Sequence, residues 1–261
     1  MPASPASAMM GRPERARRAL RRLHRGWAMG KCHILTYHRI GIPRGASWER
    51  LTVPPERFGR QLRLLRQMGF ECRGLDAALA WVAAGQGTGR KPVVLTFDDG
   101  YEDVYRHALP LLVEERIPAT MFLVAQRRTD EWVDWAGKEH FPLAGWDQVR
   151  EMAAAGVTFG SHTLTHARLT ECDDGRLRAE TADSKKVIED ALGREVRHFC
   201  YPYGAFDERV VEAVREAGYA TACTTVKRAV RPGADPLRLP RINIGKRMGT
   251  AHFVLRMLVR Y

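Results

Sequence analysis

Two adjacent carboxylates, Asp98 and Asp99, follow an apolar run and precede Gly100. Neighbouring carboxylates repel one another and are costly to desolvate unless a positive group or a metal ion lies beside them. The pair is therefore compatible with a metal site. It is also compatible with an Asp-Gly turn whose carboxylates cap a helix, and taken alone the pattern favours that turn.

Two histidines, His162 and His166, are four residues apart and follow another apolar run. If the chain turns helical there, both rings face the same side. Two imidazoles and one carboxylate make a three-ligand metal site with positions left open for water. The spacing alone is weak because surface histidines are common, but beside Asp98 and Asp99 on a neighbouring strand end it becomes much stronger.

A third group lies in residues 199–204, where two tyrosines are combined with Pro202 and Gly204. Proline and glycine favour a rigid loop, and such a loop can direct a backbone N–H at a developing oxyanion. An ordinary strand-to-helix turn with packed aromatic rings is the alternative.

The elements that must position these groups are seven apolar runs that alternate with helical patterns. The helix after Gly100 is expected to break near Pro110. With no shift in composition along the chain, the alternation predicts one parallel α/β domain, in a barrel of six to eight strands whose carboxyl ends carry the chemistry. The runs are residues 32–38, 93–97, 119–124, 157–162, 196–201, 219–225 and 239–244.

Length and composition agree with a globular enzyme domain. The chain has 261 residues, of which 45% are hydrophobic and 28% charged, and it lacks the run of about 18 apolar residues that a transmembrane helix needs. The five cysteines show no disulfide or metal spacing. We expect them to be reduced, which suits the cytoplasm or the cytoplasmic face of a membrane.

Positive charge is concentrated near the N-terminus, where residues 11–31 contribute seven of the twelve net charges. We predict a basic arm at residues 1–30 and a catalytic domain at residues 31–261. The arm lacks the apolar core of a signal peptide. Arg15, Arg18, Arg22 and Arg25 share one helical face, so the arm is either a peripheral contact for an anionic membrane or a solvated tail. Without interleaved aromatic residues apart from Trp27, no nucleic acid partner is expected.

The order of the motifs TFDDG, SHTLTH and FCYPYG is specific. With it, residues 32–245 resemble the polysaccharide deacetylases of carbohydrate esterase family 4, the NodB homology group. The resemblance implies a distorted (β/α) barrel with seven or eight mostly parallel strands. It further implies a metal-dependent hydrolase that removes N-acetyl groups from an N-acetylated sugar or polysaccharide and releases acetate.

The resemblance also implies roles for individual residues. Asp98 would be the general base, and the backbone N–H of Tyr203 would hold the oxyanion. One divalent metal ion would be bound by Asp99, His162 and His166. Zinc is favoured, with Co²⁺, Ni²⁺ or Fe²⁺ as alternatives, because these ligands suit all four ions.

The sequence departs from the family pattern at two points. Cys200 stands where the family has an arginine that orients the base, and Arg241 could supply that guanidinium or could close the barrel through a salt bridge. The late Leu-x-His motif of the general acid has no match, and His252 is interpreted as structural. The subgroup that deacetylates poly-N-acetylglucosamine is more similar, since its acid follows a tyrosine on the first strand, as His38 does here.

Substrate and activity are the least determined features. Residues 126–145 carry Trp132, Trp135 and Phe141, which could form a lid over a sugar or a small hydrophobic cluster. The expected partner is an N-acetylated glycan, in one hypothesis linked to a lipid. A metal-dependent amidase for a small non-sugar amide and a non-catalytic glycan-binding barrel remain alternatives.

Overall fold

A parallel sheet forms the centre of the protein in the computed structural model, which describes residues 30–42, 50–85, 90–126, 131–133, 140–245 and 248–258. The strands are β1 (His33–Tyr37), β2 (Arg39–Ile40), β3 (Thr52–Val53), β4 (Phe70–Cys72), β5 (Lys91–Phe97), β6 (Ala119–Leu123), β7 (Glu131–Val133), β8 (His140–Pro142), β9 (Thr158–Ser161), β10 (His198–Cys200), β11 (Thr221–Cys223) and β12 (Ile242–Asn243). The order of strands in the central sheet is β11-β10-β9-β6-β5-β1-β12, with β4 paired to β5, while β2 pairs with β3 and β7 with β8.

The sheet closes on itself through the chain that leads into its last strand. Leu239 forms a parallel bridge with Cys223 of β11, and Ile242 of β12 lies in register with Leu35 of β1. All pairs of the main sheet are parallel. A distorted parallel barrel is thus observed, as the sequence predicts.

Apolar side chains fill the barrel because its strands are buried on both faces. Ile34, Val94, Phe122, Cys200 and Cys223 come from five strands and form one cluster, closed by side chains of the second helix. A larger cluster lies between the sheet and the outer helices. The interior is therefore packed below the strand ends, and open space lies at those ends.

Amphipathic helices cover the sheet. The helices are α1 (Pro55–Gln67), α2 (Leu75–Ala83), α3 (Leu109–Glu114), α4 (Trp146–Ala154), α5 (Asp174–Arg178), α6 (Ser184–Leu192), α7 (Glu208–Glu216) and α8 (Thr250–Leu258). In α7, Val210 and Val214 are buried on one face, and the Asp207 carboxylate accepts a hydrogen bond from the Val210 N–H at 2.8 Å. This cap fixes where α7 begins after the candidate oxyanion loop.

The expected helix break near Pro110 is wrong. A π-helical segment, Val104–Ala108, leads directly into α3, and Pro110 lies in the first turn of that helix. A residue without an N–H is tolerated in a first turn, and the wider π turn before it relaxes the usual hydrogen-bond spacing. The chain therefore stays helical where the sequence predicts a break.

Parts of the sequence predictions concern residues outside the described ranges. The predicted basic arm at residues 1–30 lies outside them except for Gly30, so the division into arm and domain stays a prediction. Within the described ranges, no helix is both long and apolar enough to cross a bilayer. All five cysteines are free thiols.

Candidate active site

An open cavity of about 190 Å³ lies at the carboxyl ends of the strands. Six of the sequence-predicted residues lie in the loops that follow β1, β5, β9 and β10, and the seventh, Arg241, lies immediately before β12. Parallel pairing brings the carboxyl ends of those four strands to one edge. All seven of them line this cavity: His38, Asp98, Asp99, His162, His166, Tyr203 and Arg241.

Three of these side chains point donor atoms at a common centre. Asp99 Oδ1 is 3.5 Å from His162 Nε2 and 3.6 Å from His166 Nε2. Both separations are long for hydrogen bonds. They suit two ligands of one ion, because tetrahedral donors at about 2.0–2.2 Å from zinc lie roughly 3.3–3.5 Å from each other. The Asp99 carboxylate and the two imidazoles therefore fit a divalent cation.

Both histidines are oriented by contacts on their other ring nitrogen. Nδ1 of His162 lies 2.7 Å from the carbonyl oxygen of Cys200, and Nδ1 of His166 lies 3.1 Å from the hydroxyl of Tyr203. Such partners fix the tautomer and direct Nε2 inward. Burial lowers the pKa of His162, so the ring is held neutral and available as a ligand.

Backbone conformations at the site are unusual. Among the described residues, five other than glycine have a positive φ, and four of them belong to this region: Asp99 at 74°, Thr163 at 69°, His166 at 62° and Tyr203 at 60°. Side chains disfavour this region of φ, so local contacts must hold it. The His166 N–H donates to Thr163 Oγ1 at 2.9 Å, which keeps the two histidines together without a regular helix.

Asp98 lies beside the metal ligands and is paired with Arg241. The guanidinium donates from Nη1 to Asp98 Oδ1 and from Nη2 to Asp98 Oδ2, both at 2.8 Å. Burial alone would raise the pKa of Asp98, but the charge and hydrogen bonds of Arg241 hold that pKa well below its ordinary value. Asp98 is therefore an ionised carboxylate at any pH near neutrality.

Arg241 is itself fixed by the barrel interior. Its Nε donates to the carbonyl oxygen of Thr224 at 3.0 Å, and its Nη2 lies 3.0 Å from Cys200 Sγ. Arg241 is 2% exposed. The small Cys200 side chain lies where a longer one would meet this guanidinium. Arg241, immediately before β12, thus places a guanidinium beside Asp98, although the motif itself has a cysteine at position 200.

The loop after β10 is held tightly. Gly204 has φ of +68°, and a Cβ there would lie 2.0 Å from Thr225 Oγ1, so only glycine fits. The Tyr201 hydroxyl donates to the carbonyl oxygen of Leu237 at 2.9 Å. Among the described residues no hydrogen bond uses the Tyr203 N–H, which leaves it available to an acceptor in the cavity.

The two histidines considered for proton donation differ in location. His38 lines the cavity, and its buried Nδ1 has no hydrogen-bond partner among the described residues. His252 lies on α8, where its Nε2 accepts a hydrogen bond from Arg256 Nε at 3.2 Å, and it does not line the cavity. Geometry favours His38 as the group that reaches a substrate.

The expected lid is only partly described. Phe141 is buried in a small cluster with Tyr101, Val124 and Leu143, and the Arg39 guanidinium lies 3.9 Å above its ring. Phe141 thus belongs to a hydrophobic cluster rather than to a sugar platform. Trp135 and the side chain of Trp132 lie outside the described residues.

Sequence reasoning missed several polar residues of the cavity. They share one property: each lies at or just after the carboxyl end of a barrel strand, which is the signal that could have found them. These residues are Thr36, Thr224, Thr225 and Asn243.

Known proteins share this sequence and fold. Residues 85–222, more than half of the chain, match the family model described as polysaccharide deacetylase. YxkH of Bacillus subtilis strain 168, whose name assigns it provisionally to the polysaccharide deacetylases, is 28% identical over 85% of this chain and 75% of its own.

Two further relatives extend this likeness. The poly-beta-1,6-N-acetyl-D-glucosamine N-deacetylase of Staphylococcus epidermidis is 28% identical, over 80% of this chain and 77% of its own. The solved structure of IcaB from Ammonifex degensii superposes with a TM-score of 0.73 at 28% identity, covering 87% of this chain and 95% of that one.

Proposed function

Because the chain belongs to the polysaccharide deacetylase family, a family of hydrolases that cleave carbon–nitrogen bonds, we propose that its cavity removes N-acetyl groups from an N-acetylated glycan and releases acetate. The observation that carries the proposal is the convergence of Asp98, Asp99, His162 and His166 on one cavity at the strand ends. A base beside a three-ligand metal site is an arrangement suited to metal-assisted amide hydrolysis.

The proposed cofactor is one divalent ion held by Asp99, His162 and His166. When bound, such an ion polarises the amide carbonyl and lowers the pKa of water at the site. We propose zinc, since one carboxylate and two imidazoles form a zinc-type donor set. Co²⁺, Ni²⁺ and Fe²⁺ suit the same donors.

Asp98 is proposed to take a proton from the attacking water. Its low pKa makes it a weak base, so it is effective only against a water that is itself acidified at this site. Arg241 keeps both carboxylate oxygens in one orientation. The base is thereby held ionised and aimed before substrate arrives.

Two further groups are assigned to the later part of the reaction. The Tyr203 N–H is proposed to donate a hydrogen bond to the oxyanion, from a loop whose geometry is fixed by Gly204. His38 is proposed to give a proton to the leaving amine, which is otherwise a poor leaving group. The products are acetate and a free amino sugar.

The substrate test is acetate release from a panel of compounds. We expect release from N-acetylglucosamine oligomers, including β-1,6-linked ones, and little from small non-sugar amides such as acetanilide. A cavity of about 190 Å³ is small for a ligand site and suits one acetamido sugar at a time. Release from the small amide alone would support the amidase alternative, and release from neither would support a non-catalytic binding barrel.

Replacement of the candidate acid, His38→Ala, is expected to lower turnover by about 10²–10⁴-fold, because proton donation to the amine is lost. Metal content should stay unchanged, because His38 is not one of the proposed metal ligands. His252→Ala is the matched control and should retain wild-type turnover. If His252→Ala shows the loss and His38→Ala does not, the assignment to the first strand is wrong.

Replacement of the arginine, Arg241→Met, is expected to raise the pKa of Asp98, because burial then acts on the carboxyl without the opposing charge. Burial disfavours the ionised form of a carboxyl group, so Asp98 would take up a proton at a higher pH than in the wild type. We expect a new acid limb in the profile of kcat/KM against pH. Arg238→Met removes a partly exposed arginine outside the cavity and should leave the profile as in the wild type.

We propose that the basic arm brings the enzyme to an anionic membrane surface at the cytoplasmic face, where its glycan would be lipid-linked. The support is the sequence spacing of Arg15, Arg18, Arg22 and Arg25, which would place them on one face if this segment were a helix. Each arginine would contribute about 1 kcal/mol near such a surface. The full chain should sediment with anionic vesicles at low salt and be released at high salt. Equal binding by a chain that lacks residues 1–30 would contradict the proposal without affecting the deacetylase assignment.

A further inference from the structure

The loop between the two metal-site histidines needs support from outside itself. Thr163 and His166 have φ values of 69° and 62°, in a region that residues with side chains rarely adopt. Such conformations persist where surrounding contacts over-determine them. Another part of the chain must provide those contacts.

A π-helical segment, Ala179–Asp183, contacts this loop through Glu180. Glu180 is 2% exposed, and both of its carboxylate oxygens accept hydrogen bonds from Thr165. Oε2 accepts from the Thr165 N–H at 2.8 Å, and Oε1 accepts from the Thr165 hydroxyl at 2.5 Å. Thr165 immediately precedes His166 in the chain. This pair of charge-assisted hydrogen bonds therefore fixes the backbone next to the second histidine.

The same segment also holds the start of the loop. The Ser184 hydroxyl donates to the carbonyl oxygen of Thr181 at 2.8 Å and lies 2.8 Å from the Ser161 hydroxyl. Ser161 Oγ in turn accepts from the Thr163 N–H at 3.1 Å. Both ends of the histidine loop are therefore tied to this part of the chain, one end through Glu180 and the other through Ser184.

The contacts of Glu180 show how a buried carboxylate is stabilised at this position. Its ionic neighbour Arg176 is 3.7 Å away and has a side chain that is 59% exposed, so the pairing is long and solvent-screened. Burial of a carboxylate without strong partners is costly. The two short bonds to Thr165 are the contacts that offset this cost, and their effect falls on the histidine loop.

We propose that Glu180 is a positioning residue that sets the metal affinity of the site, acting through Thr165 on the orientation of His166. Glu180 does not line the cavity and touches no ligand atom. The inference rests on the proposed metal site and adds a residue on which its affinity depends.

The test is the zinc dissociation constant of Glu180→Ala, measured by competition with a chromophoric chelator. Loss of an outer contact of this kind typically weakens metal binding by about 10–100-fold. Turnover should fall at limiting zinc and recover to within a few-fold of wild type at saturating zinc. Glu180→Gln retains two hydrogen bonds to Thr165, one of them reversed in direction, and should restore most of the affinity.

Glu189→Ala is the matched control. Glu189 also fixes a loop, because its Oε1 accepts from the Val196 N–H at 2.8 Å, but that loop leads into the start of β10, away from the metal site. Both alanine variants should lower the melting temperature, and only Glu180→Ala should weaken zinc binding. Unchanged zinc affinity in Glu180→Ala, or equal weakening in Glu189→Ala, overturns the proposal.

Should Glu180→Ala fail to fold, Thr165→Val provides the same test by removing the hydroxyl bond alone. A several-fold weaker zinc affinity supports the proposal, and wild-type affinity overturns it. If the wild-type protein itself binds no zinc or other divalent ion, the proposed metal site is wrong as well. A wild-type protein that binds zinc beside an unaffected Glu180→Ala variant refutes only the role of Glu180.

Discussion

Asp98→Asn is expected to lose about 10²–10⁴-fold in turnover while keeping its metal, because an amide cannot accept the proton of the attacking water. The replacement also removes one acceptor from the buried guanidinium of Arg241, so the folded state should lose stability. Turnover is therefore to be measured as acetate release well below the melting temperature of the variant, with metal content determined on the same sample.

Asp103→Asn is the control for this experiment. Asp103 is a partly buried carboxylate with an arginine partner, since Arg39 Nε lies 2.7 Å from its Oδ2, and it does not line the cavity. A loss of stability without a loss of turnover is expected. If Asp98→Asn released acetate at nearly the wild-type rate, Asp98 would not be the base.

His162→Ala is expected to abolish stable metal binding and to lower turnover by at least about 10³-fold. The variant loses one of the three proposed metal ligands. A bound metal ion contributes several kcal/mol to the stabilisation of the transition state, so its loss lowers turnover. The carbonyl oxygen of Cys200 also loses its partner, which lies 2.7 Å away in the wild type. Metal analysis after dialysis against a weak chelator measures the stoichiometry directly.

His198→Ala separates loss of a ligand from loss of a buried ring. His198 is 2% exposed and pairs with Thr221 Oγ1 at 2.9 Å near the opposite end of the barrel. This variant should keep one metal ion per chain and its turnover. Full metal stoichiometry in His162→Ala would show that the proposed ligand set is wrong.

Much of the barrel could be predicted because strand burial leaves a direct mark on sequence. Runs such as Lys91–Phe97 are apolar on both faces, as parallel strands between helices must be. The short β4 escaped prediction because three residues carry too little pattern. The continuity of the helix through Pro110 escaped it because π-helical spacing follows from packing and not from residue type.

The residue types of the site and their positions at strand ends could be predicted from the sequence. Contacts between distant parts of the chain were less predictable. Asp98 and Arg241 are hydrogen-bonded to each other although they are 143 positions apart in the chain. Nothing in the local sequence around either residue indicates this contact. The left-handed conformation at Thr163 is equally invisible in the sequence, since a β-branched residue disfavours positive φ. In the sequence, Glu180 cannot be distinguished from an ordinary polar residue of an amphipathic helix.

The closure of the barrel by residues 239–243 has a consequence for the order in which the enzyme matures. During synthesis the chain emerges from its N-terminal end, so Asp98 and the metal ligands are made long before Arg241. Until the closing segment docks between β11 and β1, Asp98 has no guanidinium partner, and burial would favour its protonated, inactive form. Hydrolytic competence thus becomes a late event of folding, reached only when the last strand is in place.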